Sequence, residues 1–179
     1  MKKYILPILN ALEFFIENPN EEIHLREFAR RAEISVNSAQ RFLKIFLENN
    51  FIQDFRKVNL RYFKANLDSI VFRNIKLIFS LKKIEKSGLL EFLKKDFIYV
   101  VLFGSVAKGL DDKTSDLDLV CIGKFKKQLD LHSFEKKIGK EINVQIFDLE
   151  KWRNCKTKNK AFYQDVISTG INLVGEMPV

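Results

Sequence analysis

Apolar and polar residues follow a helical period through the first third of the chain. The pattern predicts a helix over residues 4–17, a short helix over 25–33 and a third helix over 36–50, with Ser35 placed as the N-cap of the third. Two short β-like runs follow, on either side of the segment 57–59. Such runs around a short turn predict a β-hairpin.

The pattern is helical again over residues 69–95. The apolar residues that carry this pattern are Ile70, Val71, Ile75, Ile78, Phe79 and Leu81. The pattern breaks near Ser87, which is placed to cap a new helix. This helical segment reads as a connection between two domains. We predict a first domain over 1–66, a helical connector over 67–95 and a second domain over 96–179.

Strand patterns characterise the second domain. Residues 97–103 are continuously apolar, as in a strand covered on both faces, whereas residues 116–122 and 142–148 alternate between apolar and polar. An amphipathic helix is predicted over 126–141, and a closing helix ends at Gly170 before a short apolar tail. The expected fold class is α+β, in which three helices and a hairpin precede an α/β domain with a small mixed sheet.

Charge and composition indicate which classes of partner and which cellular compartment to expect. The formal net charge of +8 points to a polyanionic partner, such as nucleic acid, a nucleotide or an acidic protein, unless the source proteome is simply rich in lysine. The two cysteines, Cys121 and Cys155, lack the spacing of a metal site or a disulfide framework. Neither a signal peptide nor an apolar run long enough to span a membrane is recognised, so we expect a reduced, cytoplasmic protein.

Three short helices followed by a hairpin form the order of a winged helix-turn-helix domain, and residues 24–52 resemble that family in their spacing. The resemblance implies that the third helix enters the major groove of DNA and that the hairpin contacts phosphates. The side chains expected to contact DNA are Asn37, Ser38, Gln40, Arg41 and Lys44 on the helix, and Arg56, Lys57 and Arg61 on the hairpin. Such domains also dock proteins or pair with themselves, so protein docking is the alternative and a homodimer is the expected oligomer.

The stretch from Gly104 to Asp118 carries residues suited to phosphate chemistry. Gly104 and Ser105 follow a buried strand, where backbone N–H groups at a strand-to-helix corner can bind a phosphate, and Lys108 is placed to supply a cation. Asp116 and Asp118 lie two positions apart on a strand, so both carboxylates project from one face. Adjacent carboxylates repel each other unless a cation lies between them. Mg²⁺ held by carboxylates and substrate phosphates meets that need.

Gly-Ser, ten intervening residues and then Asp-x-Asp is the signature of the DNA polymerase β-like nucleotidyltransferase superfamily. Residues 87–175 resemble this superfamily, and in particular its minimal nucleotidyltransferases. The resemblance implies that Mg²⁺ or Mn²⁺ supports transfer of a nucleoside monophosphate from a triphosphate, with ATP favoured, to a hydroxyl of a protein or nucleic acid. It assigns nucleotide phosphates to Gly104, Ser105 and Lys108, and metal binding and catalysis to Asp116 and Asp118. Minimal nucleotidyltransferases often serve as antitoxins, so a HEPN-type toxin or another acceptor protein is an expected partner.

The sequence departs from the family pattern at the third carboxylate. The family places this residue on a neighbouring strand, where it binds metal and takes the proton of the attacking hydroxyl; here we assign that position to Gln145. An amide cannot act as a base near neutral pH. Asn143 shares the predicted strand face and is also neutral, and Asp148 has the opposite parity. Either nucleotide binding persists with slow or absent turnover, or Asp148, the acceptor or a partner completes the site.

Two functional hypotheses follow. The first is a Mg²⁺-dependent nucleotidyltransferase-like protein that binds a nucleoside triphosphate and transfers the nucleoside monophosphate to an acceptor. The second is a DNA-binding transcriptional regulator whose transferase domain is catalytically impaired and senses nucleotides. The Gln145 position and the helix–hairpin order favour the second hypothesis, and the Gly-Ser and Asp-x-Asp spacing favours the first.

Overall fold

The computed structural model of the chain describes residues 2–124 and 129–178, with side chains from residue 7 onward. It divides into two compact units, Met1–Arg73 and Asn74–Val179. Within the residues it describes, no helix is both long and apolar enough to cross a membrane.

The first unit consists of helices around a small antiparallel sheet. Its elements in chain order are α1 (Lys2–Glu17), β1 (Ile23–His24), α2 (Leu25–Arg31), α3 (Val36–Glu48), β2 (Ile52–Lys57) and β3 (Leu60–Ala65). The sheet has the order β1-β3-β2, and β2 and β3 form the predicted hairpin. The fold is therefore mixed α and β in this unit, as the periodicity predicts.

Aromatic residues form the core of the first unit. Phe15 and Phe28 have less than 1% of their surface exposed, and their ring centroids lie 5.1 Å apart. Ser35 caps α3, since its hydroxyl oxygen accepts a hydrogen bond from the backbone N–H of Ser38 at 3.1 Å. The predicted second helix ends early, at Arg31, because Glu33 has a φ of +55° that a right-handed helix cannot accommodate.

The second unit is a mixed sheet with helices on both faces. Its elements are α4 (Ile70–Ser87, which begins in the first unit), α5 (Leu89–Leu93), β4 (Phe97–Phe103), α6 (Gly104–Ala107), β5 (Leu117–Gly123), α7 (His132–Ile138), β6 (Ile142–Phe147), α8 (Leu149–Lys158), α9 (Lys160–Thr169) and β7 (Ile171–Val174). The strand order is β6-β5-β4-β7; β5 and β6 are parallel, and the other neighbours are antiparallel.

Alternate residues of the central strands enter two separate cores. Leu117, Leu119 and Cys121 of β5 pack on one side with residues of α4, α5 and α7. Val120 and Ile122 pack on the other side with residues of α8 and α9, including Trp152. Both faces of the sheet are therefore covered, and the ends of the strands remain as the place for a site.

The helices predicted from residue 69 onward are found as α4 and α5, and the buried face of α4 is not wholly apolar. Ile70, Val71 and Ile78 are more than half exposed, whereas Lys76 is 1% exposed and Ile84 is also buried. A charged residue therefore occupies a buried position on this helix, while Leu81 packs against the core of the second unit. The predicted cap at Ser87 is confirmed in part, because its hydroxyl oxygen accepts a hydrogen bond from the backbone N–H of Leu89 at 3.1 Å.

The helices after β5 differ from the predicted pattern. Of the helix predicted over 126–141, residues 126–128 lie outside the described residues, and α7 begins only at His132. The helix α8, directly after β6, was not predicted. Gly170 ends α9 as predicted, in an extended conformation, and a Cβ there would lie 2.2 Å from the carbonyl oxygen of Val166.

Candidate functional site

The Gly-Ser turn and the second aspartate meet at one point of the sheet. Phe103 of β4 pairs with Asp118 of β5, so Gly104, the next residue, lies beside the Asp118 side chain. Gly104 has a φ of +74°, and a Cβ on it would lie 2.5 Å from Asp118 Oδ2. The absence of a side chain at Gly104 therefore gives the carboxylate its place.

Ser105 lies in α6, the single helical turn that follows. Its backbone carbonyl accepts a hydrogen bond from the N–H of Leu110 at 2.9 Å, which closes the turn. Within the part of the chain that the structure describes, no protein group accepts from or donates to the Ser105 hydroxyl. The turn thus begins at Gly104, beside the Asp118 carboxylate, and continues with Ser105.

Lys108, at the C-cap of α6, contacts a different element. Its ammonium donates a hydrogen bond to Asp165 Oδ1 of α9 at 2.8 Å, and both side chains are partly exposed. A phosphate contact by Lys108 therefore requires the ammonium to leave Asp165 or to bridge both groups. The phosphate-binding role of Lys108 stays a prediction.

Only one of the two aspartates predicted to lie on a strand is within β5. Asp118 lies inside the strand and is half-buried, whereas Asp116 is exposed in the irregular segment just before Leu117. The Asp116 backbone is therefore placed by the loop that precedes it rather than by strand pairing alone.

The neighbouring strand places an amide beside Asp118. In the parallel pairing of β5 and β6, Asn143 is opposite Asp118, and its Nδ2 donates to Asp118 Oδ1 at 3.0 Å. Gln145 lies opposite Val120, two residues further along. The position nearest Asp118 therefore belongs to Asn143 rather than Gln145, a register that sequence spacing alone does not define. The residue there is a neutral amide in either assignment.

Asp148 is engaged elsewhere. It is the N-cap of α8, and its Oδ1 accepts a hydrogen bond from the backbone N–H of Lys151 at 2.7 Å. The opposite parity expected for Asp148 is consistent with this structural role. A role for Asp148 in completing the site stays a prediction.

Charged side chains that the sequence did not reveal hold the loop before Asp116. Asp111 is 5% exposed, and its two carboxylate oxygens lie 3.3 Å from Lys76 Nζ and 3.1 Å from Lys140 Nζ. The Lys140 ammonium also donates to the backbone carbonyls of Asp112 at 2.5 Å and Ser115 at 3.1 Å. Burial lowers the pKa of Lys76, opposed by the attraction of Asp111.

The carboxylates near Gly104 are too few to hold a hard cation such as Mg²⁺ without further ligands from a substrate. Among the side chains that the structure describes, no cluster of three or more His, Cys, Asp and Glu is arranged to hold a metal. Asp118 supplies carboxylate oxygens beside Gly104, and Asp116 precedes it by two residues in an exposed segment. Mg²⁺ is usually held in proteins by one or two carboxylates and completed by substrate phosphates and water, so the residues present fit that ion.

A separate groove lies in the first unit. It has a volume of about 1060 Å³ and is lined by residues of α2, α3 and β3, among them the predicted DNA-binding residues Asn37, Gln40, Arg41, Lys44 and Arg61, together with His24 and Arg26. The fold also brings Arg26 to this groove, together with His24, whose Nδ1 caps α2 by accepting a hydrogen bond from the Glu27 N–H at 3.3 Å.

The other predicted DNA-contacting residues lie outside the lining of this groove. The Ser38 hydroxyl accepts a hydrogen bond from Ser35 at 2.9 Å, and Lys57 forms an ion pair with Glu22. Arg56 is exposed on β2. Within the groove, Arg61 donates to Asp54 at 2.6 Å, which lowers the pKa of that carboxyl. The DNA-binding role of these residues stays a prediction.

The second unit is similar to a known protein family. Residues 86–166 match the family described as "Nucleotidyltransferase domain". The match covers β4, β5, β6 and the Gly104–Asp118 stretch, and it supports the nucleotidyltransferase superfamily to which the sequence pattern points. The comparison with curated proteins gave no match.

Proposed function

We propose that the protein binds a nucleoside triphosphate with Mg²⁺ and transfers the nucleoside monophosphate to a hydroxyl of a protein or nucleic acid. One observation carries the proposal: Gly104 leaves room for the Asp118 carboxylate, whose Oδ2 would lie 2.5 Å from a Cβ at that position. In this proposal, the residues that bind phosphate and the carboxylate that binds metal lie side by side. The family match of residues 86–166 supports this reaction class.

The residues of the site take distinct roles in this proposal. The N–H groups and hydroxyl of Gly104 and Ser105 bind the phosphates, and Lys108 adds its positive charge by exchanging or sharing Asp165. Asp116 and Asp118 hold Mg²⁺ or Mn²⁺, which when bound neutralises charge on the phosphate oxygens. Asn143 orients Asp118 by donating to Oδ1 at 3.0 Å.

The transfer forms one bond and breaks another. The acceptor hydroxyl oxygen bonds to the α-phosphorus of the triphosphate, the bond from that phosphorus to the bridging oxygen breaks, and pyrophosphate leaves. The hydroxyl proton passes to water, because Asn143 is neutral and Asp148 caps a helix. Loss of a general base typically slows such a step by about 10²–10⁴-fold, so we expect firm nucleotide binding and slow turnover.

The acceptor follows from the family resemblance. We propose ATP as the favoured nucleotide and a HEPN-type toxin as the acceptor protein, with the present chain as its cytoplasmic antitoxin.

Calorimetric titration of ATP with and without Mg²⁺ tests the binding step. We expect binding that requires the metal and disappears in the Asp116→Asn/Asp118→Asn double variant. Transfer is measured with α-labelled ATP, which should label an acceptor slowly with the wild-type protein and not at all with the double variant. Failure of every nucleoside triphosphate to bind would overturn the proposal.

A second candidate function, a DNA-binding regulator that senses nucleotides, is favoured by the groove of the first unit. The groove of about 1060 Å³ gathers Arg26, Arg41, Lys44 and Arg61. The element order helix, strand, two helices and hairpin is the one expected of a winged helix. A basic groove along a helix is suited to a DNA backbone.

Binding to duplex DNA at several salt concentrations tests this candidate. Each lost phosphate contact should lower the steepness of the salt dependence by about one unit, so Arg41→Ala and Lys44→Ala should both weaken binding. Arg30→Ala is the matched control, because Arg30 is a surface arginine of α2 that pairs with Glu27 and lies outside the groove lining. If the control weakens DNA binding as much as the two variants, this groove does not bind DNA.

A further inference from the structure

The loop that connects the Gly-Ser turn to Asp116 is held by a buried group of charges. We call the three residues Lys76, Asp111 and Lys140 the loop clamp. Lys76 and Asp111 are 1% and 5% exposed, and each carboxylate oxygen of Asp111 faces one lysine, at 3.3 Å and 3.1 Å. A buried carboxylate between two cations is strongly restrained, since leaving either charge unpaired in the interior is costly.

Lys140 extends the clamp to the loop backbone. Its ammonium donates to the carbonyl oxygens of Asp112 at 2.5 Å and Ser115 at 3.1 Å, and it lies 3.1 Å from Asp111 Oδ2. Ser115 is the residue immediately before Asp116. Lys140 therefore fixes the carbonyl that precedes the exposed aspartate, in a segment where strand pairing has not yet begun.

The interior of the loop is ordered by Asp112. Its Oδ1 accepts hydrogen bonds from the backbone N–H of Thr114 at 2.9 Å and from the hydroxyls of Thr114 and Ser115 at 2.8 and 3.2 Å. The loop is thus a preformed turn, and the clamp attaches that turn to α4 and to the segment before β6.

The contacts of Lys140 are directed at the loop. Its ammonium donates hydrogen bonds to the carbonyls of Asp112 and Ser115 and forms an ion pair with the Asp111 carboxylate. Lys140 and Asp116 also line the same open polar groove of about 550 Å³. A lysine beside such a site would ordinarily be assigned to a substrate phosphate, but the ammonium of Lys140 is held at the loop by two hydrogen bonds and an ion pair.

We propose that Lys140, anchored by Asp111 and Lys76, is a positioning residue that holds Asp116 in place for metal binding. The inference rests on the proposed function, because it gives the clamp a role in the binding of metal and triphosphate. Asp118 is oriented by Asn143, and Asp116 depends on the clamp; the two carboxylates are thus placed by independent contacts.

The test compares Lys140→Met with Lys137→Met in the full chain. Lys137 is the matched control, because its ammonium also donates to a backbone carbonyl, that of Ser87 at 3.0 Å, but does not touch the loop. Hydrogen–deuterium exchange reports on the loop amides of residues 112–116, and titration of Mn²⁺ in the presence of ATP reports on metal affinity. Residues that orient metal ligands typically contribute about 10–100-fold to metal affinity.

We expect faster exchange of the loop amides and Mn²⁺ binding about 10–100-fold weaker in Lys140→Met, with both properties unchanged in Lys137→Met. Lys140→Arg, which keeps the charge, should recover part of the affinity, and it takes the place of Lys140→Met if that variant does not fold. A loosened loop with wild-type affinity for Mn²⁺, or a loop that exchanges as in the wild type, overturns the positioning role. Absence of Mn²⁺–ATP binding in the wild-type protein overturns the proposed function itself.

Discussion

Asn143 donates a hydrogen bond from Nδ2 to Asp118 Oδ1 at 3.0 Å, across the parallel pairing of β5 and β6. The bond fixes the orientation of the Asp118 carboxylate and directs Oδ2 to Gly104. It also places a neutral amide where a third carboxylate would lie closest to Asp118. In the proposed transfer, this one side chain orients the Asp118 carboxylate and, because it is neutral, supplies no base.

Asn143→Asp should increase the rate of nucleotide transfer. A carboxylate at this position can take the proton of the acceptor hydroxyl, a contribution typically worth about 10²–10⁴-fold. The change also adds a hard oxygen ligand, so Mg²⁺ should bind more tightly. The measurement is the rate of label incorporation from α-labelled ATP at saturating Mg²⁺.

Gln145→Asp is the matched control for this gain. Gln145 is on the same strand but pairs with Val120 rather than Asp118, so its carboxylate should give no comparable increase. An increase with Gln145→Asp and none with Asn143→Asp would show that the site uses the position expected from sequence spacing instead.

Because of Lys76, the free energy of unfolding should change with pH below the ordinary lysine pKa. Burial lowers its pKa in the folded protein and Lys140 acts in the same direction, against the attraction of Asp111 and Asp112. Between the lowered pKa and the ordinary value near 10.5, the unfolded chain binds more protons at this residue than the folded one. The free energy of unfolding should therefore rise with pH in that window, by at most about 1.4 kcal/mol per pH unit for one proton.

Urea unfolding of the wild-type protein and of Lys76→Met between neutral pH and pH 10 measures this effect. Lys76→Met lacks the titrating group, and its Asp111 keeps the Lys140 partner. We expect a smaller rise of the unfolding free energy with pH in the variant. Parallel curves for the two proteins would contradict a lowered pKa at Lys76.

Local patterns were sufficient for much of the architecture. The continuous apolar run gave β4, alternation gave β5 and β6, and Ser35 identified the start of α3. These features depend on a residue and its near neighbours, so period and capping chemistry reveal them. The Gly-Ser and Asp-x-Asp spacing likewise indicated two parts of the site, because both lie on one continuous stretch of chain.

The remaining features depend on contacts between distant parts of the chain. The position of Asn143 follows from the parallel register of β5 and β6, and a shift of two residues would have placed Gln145 there. Lys76 reads as a solvent-facing residue of a helix until Asp111 is brought against it. The role of Lys140 depends on two loop carbonyls, which no side-chain pattern records.

Cys121 and Cys155 should differ sharply in their reaction with iodoacetamide. Burial raises the pKa of the Cys121 thiol to about 12, so at pH 8 only about one thiol in ten thousand is ionised. Cys155 is half-buried on α8. We expect modification of Cys155 first in the folded protein and of both in urea, as measured by mass spectrometry of peptides. Equal rates in the folded protein would contradict the burial of Cys121.

Gly104→Ala should abolish metal-dependent nucleotide binding, because the new methyl group displaces the Asp118 carboxylate in addition to straining the backbone. Gly88 provides the comparison, because its φ of +83° is similar to the +74° of Gly104 and a Cβ there meets nothing within 4 Å. A non-glycine residue in this left-handed region costs about 1–2 kcal/mol, so both alanine variants should lose a similar amount of stability. Only at Gly104 must the Asp118 carboxylate also move, since Oδ2 lies 2.5 Å from the new Cβ.

Thermal unfolding and calorimetric titration of Mg²⁺–ATP separate the two effects. Similar losses of stability, with nucleotide binding lost in Gly104→Ala and retained in Gly88→Ala, would show that the space beside Asp118 is what the site requires. Wild-type nucleotide affinity in Gly104→Ala would mean that the carboxylate can move without consequence. The contact between Gly104 and Asp118 would then serve packing alone, and phosphate and metal would not bind at this point.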